Sequence, residues 1–180
     1  RKRAWVGRRS HPAWTAEPNA GHLALSELQR AGRLGPILTQ NIDGLHQKAG
    51  SVDVLELHGT IWETECLTCH DRVPTLETLE RDEPDPRCLR CGGILKTATI
   101  SFGQRLDPDV LDAAIDAARQ SDLLVAIGTT LAVMPAAGLA DMSRHLAIVN
   151  ASPTPYDDQA DVVLQQPIGE VLPVLARALT

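Results

Sequence analysis

Four cysteines in two pairs, Cys66 with Cys69 and Cys88 with Cys91, restrict this chain more than any other feature. Their spacing, C-x2-C-x18-C-x2-C, fits a tetrathiolate zinc site, because each C-x-x-C turn can present two sulfurs to one tetrahedral ion. The pairs use every cysteine of the chain, so there is no odd thiol to explain. The stretch between them, HDRVPTLETLERDEPDPR, is too polar to hold itself together by burial, and one structural zinc ion is the expected fastener. Four thiolates close the coordination sphere and leave no position for a reactive water. His70 is the alternative ligand, set against the simpler reading of a solvent-facing loop residue. A pair of disulfides in a secreted protein is the competing reading for the cysteines. The amino end, RKRAWVGRR, is charged and carries no apolar signal-peptide core, so a reducing, cytoplasmic setting is expected.

Length and charge narrow the function classes. A chain of 180 residues suits one main core with a small metal-stapled insert. With 17 basic and 23 acidic residues the net charge is -6, which gives no general attraction to nucleic acid or an anionic membrane. One Phe and one Tyr accompany three Trp, too few aromatics for a platform that stacks single-stranded bases. No run of apolar residues is long enough to span a bilayer.

Short apolar runs alternate with helical patterns, which is the mark of an α/β chain with parallel strands and crossover helices. Strands are expected over 36–40, 54–57, 97–102, 123–127, 146–150 and 162–164. Asn19 is expected to cap a helix running to Ala31 and ended by Gly32, with Leu23, Leu25 and Leu28 apolar. Asp107 and Pro108 open a second helix, with Val110, Leu111, Ala114, Ile115 and Ala118 on one face. A third follows Pro135 and a last spans 169–179. Residues 59–96 break this pattern and read as an inserted module, leaving 1–58 and 97–180 as the main domain. The strands on either side of the insert are expected to share one sheet.

Polar residues gather where these strands end, the place at which open parallel sheets bind ligands. Gln40, Asn41 and Asp43 follow the first run, His58 the second, Gly103 the third, and Gly128, Thr129 and Thr130 the fourth, while Asn150 ends the fifth. Each alone has a bland reading: Gly-Thr-Thr as a structural turn, Asn41 and Asp43 as turn formers, His58 as a hydrogen-bonded strand-end histidine.

Together, PNAGH at 18–22, TQNIDGLH at 39–46, ELHG at 56–59, the two C-x-x-C pairs, ISFG at 100–103, GTTLAVMP at 128–135 and Asn150 resemble, in order and spacing, the sirtuin family of NAD-dependent protein lysine deacylases. The resemblance implies a Rossmann-like NAD-binding domain with an inserted zinc ribbon. It implies a reaction in which the acyl oxygen of an acylated lysine attacks the nicotinamide ribose, nicotinamide leaves, and the acyl group ends on ADP-ribose. His58 matches the general base that activates a ribose hydroxyl, a role suited to a side chain that titrates near neutrality. Asn41 and Asp43 match the groups around nicotinamide and its ribose. Gln40, Ile42, Gly128, Thr129, Thr130, Asn150, Ala151 and Ile168 match positions along the rest of the cofactor. Ile100 and Phe102 would wall the acyl-lysine channel, while Gly103 and Leu131, Ala132 and Val133 would pair by backbone with an extended substrate peptide.

Some features depart from the family. Sirtuins begin with a strand and a Gly-Ala-Gly loop, whose backbone donors suit a pyrophosphate; the present sequence starts after them, so the expectation is a truncated, impaired enzyme with a strand-wide gap in its sheet. Trp5 and Arg8 fall at the spacing of a Tyr and Arg that bind acidic acyl groups in some family members, the alternative being that Trp5 is core and Arg8 a solvated helix charge. Two other functions remain beside the deacylase: a protein mono-ADP-ribosyltransferase using the same cofactor, and an inactive nucleotide-sensing or interaction module.

Overall fold

Two contact-dense units make up the computed structural model, which describes all 180 residues. One, here the cysteine unit, comprises Arg1–Glu17, Asn41–Gly44 and His58–Arg105; the other, the sheet unit, comprises Pro18–Gln40, Leu45–Leu57 and Leu106–Thr180. The cysteine unit thus takes in the amino-terminal segment and the Asn41–Gly44 turn, both outside the 59–96 insert of the sequence reading.

In the sheet unit, β1 (Ile37–Thr39) pairs in parallel with β2 (Val54–Glu56), and β6 (Leu123–Ile127), β7 (His145–Val149) and β8 (Val162–Leu164) form a parallel sheet in that order. These are five of the expected strands. Helix α2 (Ala20–Arg30) and helix α6 (Ile168–Leu179) pack on each other through Leu25, Leu28, Leu172 and Ala176. Ile37 of β1 and Ile127 of β6 face that cluster. Leu38, next along β1, joins Leu57, Ala114 and Leu139 in a different cluster with α5 (Pro108–Gln120). Adjacent residues of a strand point to opposite faces, so β1 is covered on both sides, as parallel strands require. Each buried Leu or Ile contributes about 1.5–3 kcal/mol relative to exposure.

Local chemistry sets the helix ends. Asn19 Oδ1 accepts from the N–H groups of Gly21 (2.9 Å) and His22 (3.2 Å), and His22 Nδ1 accepts from the Asn19 N–H (3.2 Å). This reciprocal cap satisfies donors that a helix start leaves open. At the other end Gly32 takes a φ of +67° while the Arg33 N–H reaches back to the Leu28 carbonyl at 2.9 Å, a closure that favours glycine. Asp107 caps α5 through Asp109 N–H at 3.0 Å, with Pro108 first in the helix. Leu23 departs from expectation: it is exposed, because the buried face of α2 is Ala24, Leu25 and Leu28. The segment after Pro135 is a 3-10 helix, Ala136–Asp141, rather than an α-helix.

The cysteine unit is where the structure departs furthest from the sequence reading. Strand β3 (Gly59–Cys66) is flanked by β4 (Arg72–Pro74) and β5 (Leu95–Thr99), both antiparallel to it. A short helix, α4 (Thr75–Glu80), follows β4, and α1 (Lys2–Arg9) joins the same unit. The strand expected over 97–102 is therefore β5, starting earlier and belonging to an antiparallel ribbon. The strands flanking the insert do not share a sheet: β2 pairs with β1, whereas β5 pairs with β3. β5 gives one edge to β3 and carries no strand on the other. Partly exposed ion pairs join Arg1 to Asp85, Arg9 to Asp82 and Arg81 to Glu83; pairs that solvent reaches add little each. No helix of the chain is long and apolar enough to cross a membrane.

Candidate active site and metal centre

The sulfurs of Cys66, Cys69, Cys88 and Cys91 all lie within 4.8 Å of one another. Cys66 Sγ is 3.5 Å from Cys91 Sγ, and Cys69 Sγ is 3.7 Å from Cys88 Sγ. A tetrahedron of thiolates at zinc–sulfur bonds of about 2.3 Å has edges of about 3.8 Å, so the donor set fits zinc; all four are free thiols rather than disulfides. The backbone N–H of Cys69 is the main influence pulling the Cys66 thiol down to about 6. At Cys69 the Asp71 backbone N–H works in the same direction, but the bond with Cys91 and burial prevail and push that thiol up to about 12. Gly93 lets the second knuckle close: a Cβ there would stand 2.7 Å from Cys66 Sγ. His70 lies outside the cluster; its Nδ1 pairs with Glu65 at 3.1 Å.

Trp5 packs with Cys66, Cys88 and Leu95 and is 4% exposed. Arg8 donates to Thr97 Oγ1 at 3.0 Å. Both side chains are thus engaged inside the cysteine unit, the alternative weighed for Trp5 and not, for Arg8, the solvated charge.

His58 enters β3 through Gly59, whose φ is +68°. A Cβ at Gly59 would meet the Ala98 carbonyl oxygen at 2.0 Å, so the ELHG turn requires glycine. The His58 carbonyl accepts from Ile100 N–H at 2.8 Å, and Ile61 N–H donates to the Ile42 carbonyl at 2.9 Å. The same unit therefore carries His58, Asn41, Ile42, Asp43 and Ile100. Phe102 is fully exposed and Gly103 has a φ of +81°.

The sheet unit gathers the remaining candidates at the carboxyl ends of its strands. After β6, Gly128 N–H donates to the Val149 carbonyl at 2.9 Å; after β7, Asn150 N–H donates to the Leu164 carbonyl at 3.1 Å. Gln40, just past β1, donates from Nε2 to Thr129 Oγ1 at 3.2 Å, and the same oxygen accepts from Leu131 N–H at 3.2 Å. Asn150 turns its Nδ2 to the Ser152 carbonyl at 2.7 Å. Gly128 has a φ of +61°, and a Cβ there would sit 2.6 Å from Ile168 Cδ1. Gln40, Gly128, Thr129 and Ile168 are thus brought together, with Asn150 on the adjoining strand. Thr130, Ala132, Val133 and Ala151 are exposed, while the Leu131 side chain is buried.

Sequence reasoning missed Trp14 and Trp62. Trp62 Nε1 donates to the Asp43 carbonyl at 2.7 Å, and Trp14 meets Trp62 edge-on with ring centroids 5.1 Å apart. No local pattern marked them, since the amino-terminal segment that carries Trp14 joins the cysteine unit only in the fold.

Parallel α/β sheets with polar strand ends are thus joined in one chain to a four-cysteine ribbon whose sulfur geometry fits zinc. Residues 3–135 match the model of the Sir2 family, and the chain belongs to that family. It is 50% identical over 188 aligned residues to "NAD-dependent protein deacetylase 2" of Streptomyces coelicolor, covering 99% of this chain and 78% of that protein. It is 45% identical over 155 residues to a protein of the same description from Caldanaerobacter subterraneus, covering 84% of this chain and 61% of the relative. The chain thus spans well under the full length of such relatives. Among solved structures, a Sir2 homolog–NAD complex matches with a TM-score of 0.93 and 34% identity over 99% of this chain and 72% of the other. A complex of Sir2 with a p53 peptide and NAD+ matches with a TM-score of 0.86 and 32% identity over 94% and 71%.

Proposed function

We propose that this chain acts as an NAD-dependent protein lysine deacylase, consuming one NAD and one water to transfer the acyl group of an acylated lysine to ADP-ribose, with release of nicotinamide and the free lysine amine. The observation that carries the reading is the pairing of β3 with the TQNIDGLH turn, Ile61 N–H to the Ile42 carbonyl at 2.9 Å, which keeps His58 and Asn41–Asp43 in one unit. NAD supplies the electrophilic ribose carbon and the leaving group. His58 takes the proton of a ribose hydroxyl, a step that a positioned imidazole accelerates by about 100- to 10,000-fold. Asn41 and Asp43 orient the nicotinamide end.

The rest of the cofactor falls to Gln40, Ile42, Gly128, Thr129, Thr130, Asn150, Ala151 and Ile168. Gly128, exposed at the end of its strand, makes room for Ile168, whose Cδ1 stands 2.6 Å from where a Cβ would be. Ile100 and Phe102 take the acyl-lysine chain, and backbone at Gly103 and at residues 131–133 takes the flanking peptide by strand addition. Trp5 and Arg8 are left out of the acyl contact, since Trp5 is committed to the core beside the cysteines and Arg8 to Thr97. Zinc holds the ribbon and takes no part in the reaction. In domain terms, the proposal keeps 1–58 and 97–180 as the NAD-binding part and 59–96 as the zinc insert. The substrates are acylated proteins or peptides, met in the cytoplasm, where four thiols stay reduced.

The test is deacylation of an acetylated peptide by the wild-type chain and by His58→Ala. The expected result is deacylation that depends on NAD and falls at least about 100-fold in the variant. Undiminished deacylation by His58→Ala would remove His58 as the base, and ADP-ribose attached to a protein target in place of acyl loss would redirect the reading to ADP-ribosyl transfer.

A further inference from the structure

We infer that Trp62 is a positioning residue for the Asn41–Gly44 turn, and that Trp14 braces it. The inference rests on the proposed role of Asn41 and Asp43 at the nicotinamide end of NAD. Neighbouring residues of β3 hold neighbouring carbonyls of the turn: Ile61 through its backbone N–H to Ile42 at 2.9 Å, and Trp62 through its indole N–H to Asp43 at 2.7 Å. The indole also lies against the Gly44 backbone. A Cβ at Gly44, where φ is +70°, would stand 2.7 Å from Trp62 Nε1 and 3.0 Å from its Cδ1. The turn therefore combines a glycine that lets the ring approach with a donor that fixes the peptide plane between Asp43 and Gly44. Fixing that plane fixes the backbone from which the Asp43 side chain projects.

Trp62 is not left to choose its own rotamer. Trp14 meets it at an interplanar angle of 80°, the edge-on arrangement that aromatic pairs favour. Trp14 is held in turn, since its Nε1 donates to the carbonyl of Arg8 near the end of α1. The same carbonyl also accepts from the His11 N–H at 3.2 Å, so the indole adds a second donor to an oxygen that has two lone pairs. A continuous path of two indoles thus runs from the end of α1 to the turn, and every link lies within the cysteine unit. Positioning of this kind acts on turnover, because small misplacements of reacting groups slow the chemical step more than they weaken binding.

Trp62→Phe separates donor from ring, since it keeps the edge-on contact with Trp14 and removes the N–H. Amide hydrogen exchange is measured across residues 41–46, together with zinc content, protection of β6 to β8, and kcat and KM for nicotinamide release with an acetylated peptide. The expected result is exchange faster by on the order of tenfold across the turn, kcat lower by a similar factor and peptide KM unchanged, with zinc content and strand protection intact. Trp62→Leu, which also removes the ring contact, is expected to go further in the same direction, and Trp14→Phe less far. Unchanged exchange across the turn in Trp62→Phe overturns the inference. Asn41→Ala and Asp43→Asn distinguish the underlying reading: if they lose turnover while Trp62→Phe keeps it, the role of Trp62 fails. If they keep turnover, or the wild-type chain releases no nicotinamide, the reading of the turn has failed instead.

Discussion

In the cysteine unit the buried cluster is Trp5, Cys66, Cys88 and Leu95, so half of its members are metal-ligand candidates. In the sheet unit the equivalent positions are aliphatic, with Leu25, Leu28, Ile148 and Leu172 among those almost wholly buried. The first arrangement places thiols where the second has aliphatic side chains, and the ribbon is predicted to depend on a divalent ion. The second is held by helices on both faces of parallel strands. The proposed chemistry draws on both: His58 and the Asn41–Asp43 turn belong to the cysteine unit, whereas Gln40, Gly128, Thr129 and Asn150 belong to the sheet unit. Cofactor binding and catalysis are therefore predicted to fail under different insults.

Removing zinc is expected to produce the largest separation. Structural zinc contributes about 10–16 kcal/mol of binding free energy at neutral pH, which in such sites is folding free energy. Chelation, or Cys88→Ser, should abolish amide protection in β3 to β5 while β6 to β8 keep theirs, as read by hydrogen exchange. Equal loss in both units would dissolve the comparison. The dependence has a sign: thiolates are the ligands, so zinc retention weakens as pH falls.

The converse perturbation is Leu172→Ala. Leu172 is 2% exposed between α2 and α6, and truncation there is expected to cost about 2–5 kcal/mol. Chemical denaturation monitored in β6 to β8 should register that loss, with zinc content unchanged. A smaller and more local contrast lies in two glycines, Gly59 beside His58 and Gly128, itself a proposed cofactor contact. Gly59→Ala drives a methyl into the Ala98 carbonyl at 2.0 Å, whereas Gly128→Ala meets the movable tip of Ile168 at 2.6 Å. Both also carry the cost of a left-handed alanine, about 1–2 kcal/mol. Gly59→Ala should therefore be the more destabilising, and equal melting temperatures would show that the β3–β5 backbone can yield.

The smallest expected effect is electrostatic. The Leu146 backbone N–H, and next His145, hold the Asp161 carboxyl below the usual carboxylate range. A folded-state value below the unfolded one adds stability above the unfolded value, about 3.9 for Asp, and that stability is lost as pH falls through the lower folded value. Asp161→Asn should thus lower the melting temperature slightly at neutral pH, and the difference should vanish once both states are protonated. A difference that persists in acid would assign the effect to the hydrogen bonds alone.

The two units also differ in how much could be read in advance. The parallel strands were legible because runs such as LLVAI and LAIV are short, apolar and bounded by turn residues, and the caps at Asn19 and Asp107 announce their helices. Strand β3 was not. Its register shifts between Gly59 and Thr64, and its buried residues are Ile61, Thr64 and Cys66, so the alternation that marks a strand is broken by the irregularity. The antiparallel pairing of β5 was hidden because the same apolar residues suit either kind of sheet. For the site, the zinc ligands follow from spacing and the strand-end positions from topology. The indole path could not be found this way, because Trp14 and Trp62 are far apart in sequence and their partners, the carbonyls of Arg8 and Asp43, are backbone groups that every residue has.

The most direct measurement on the central claim is the stoichiometry of the reaction, with nicotinamide and deacylated peptide quantified together over time by mass spectrometry in the presence of NAD and an acetylated peptide. The account predicts one nicotinamide for each acyl group removed, with the acyl group recovered on ADP-ribose. Acyl loss without nicotinamide, or nicotinamide release with the peptide still acylated, would contradict it.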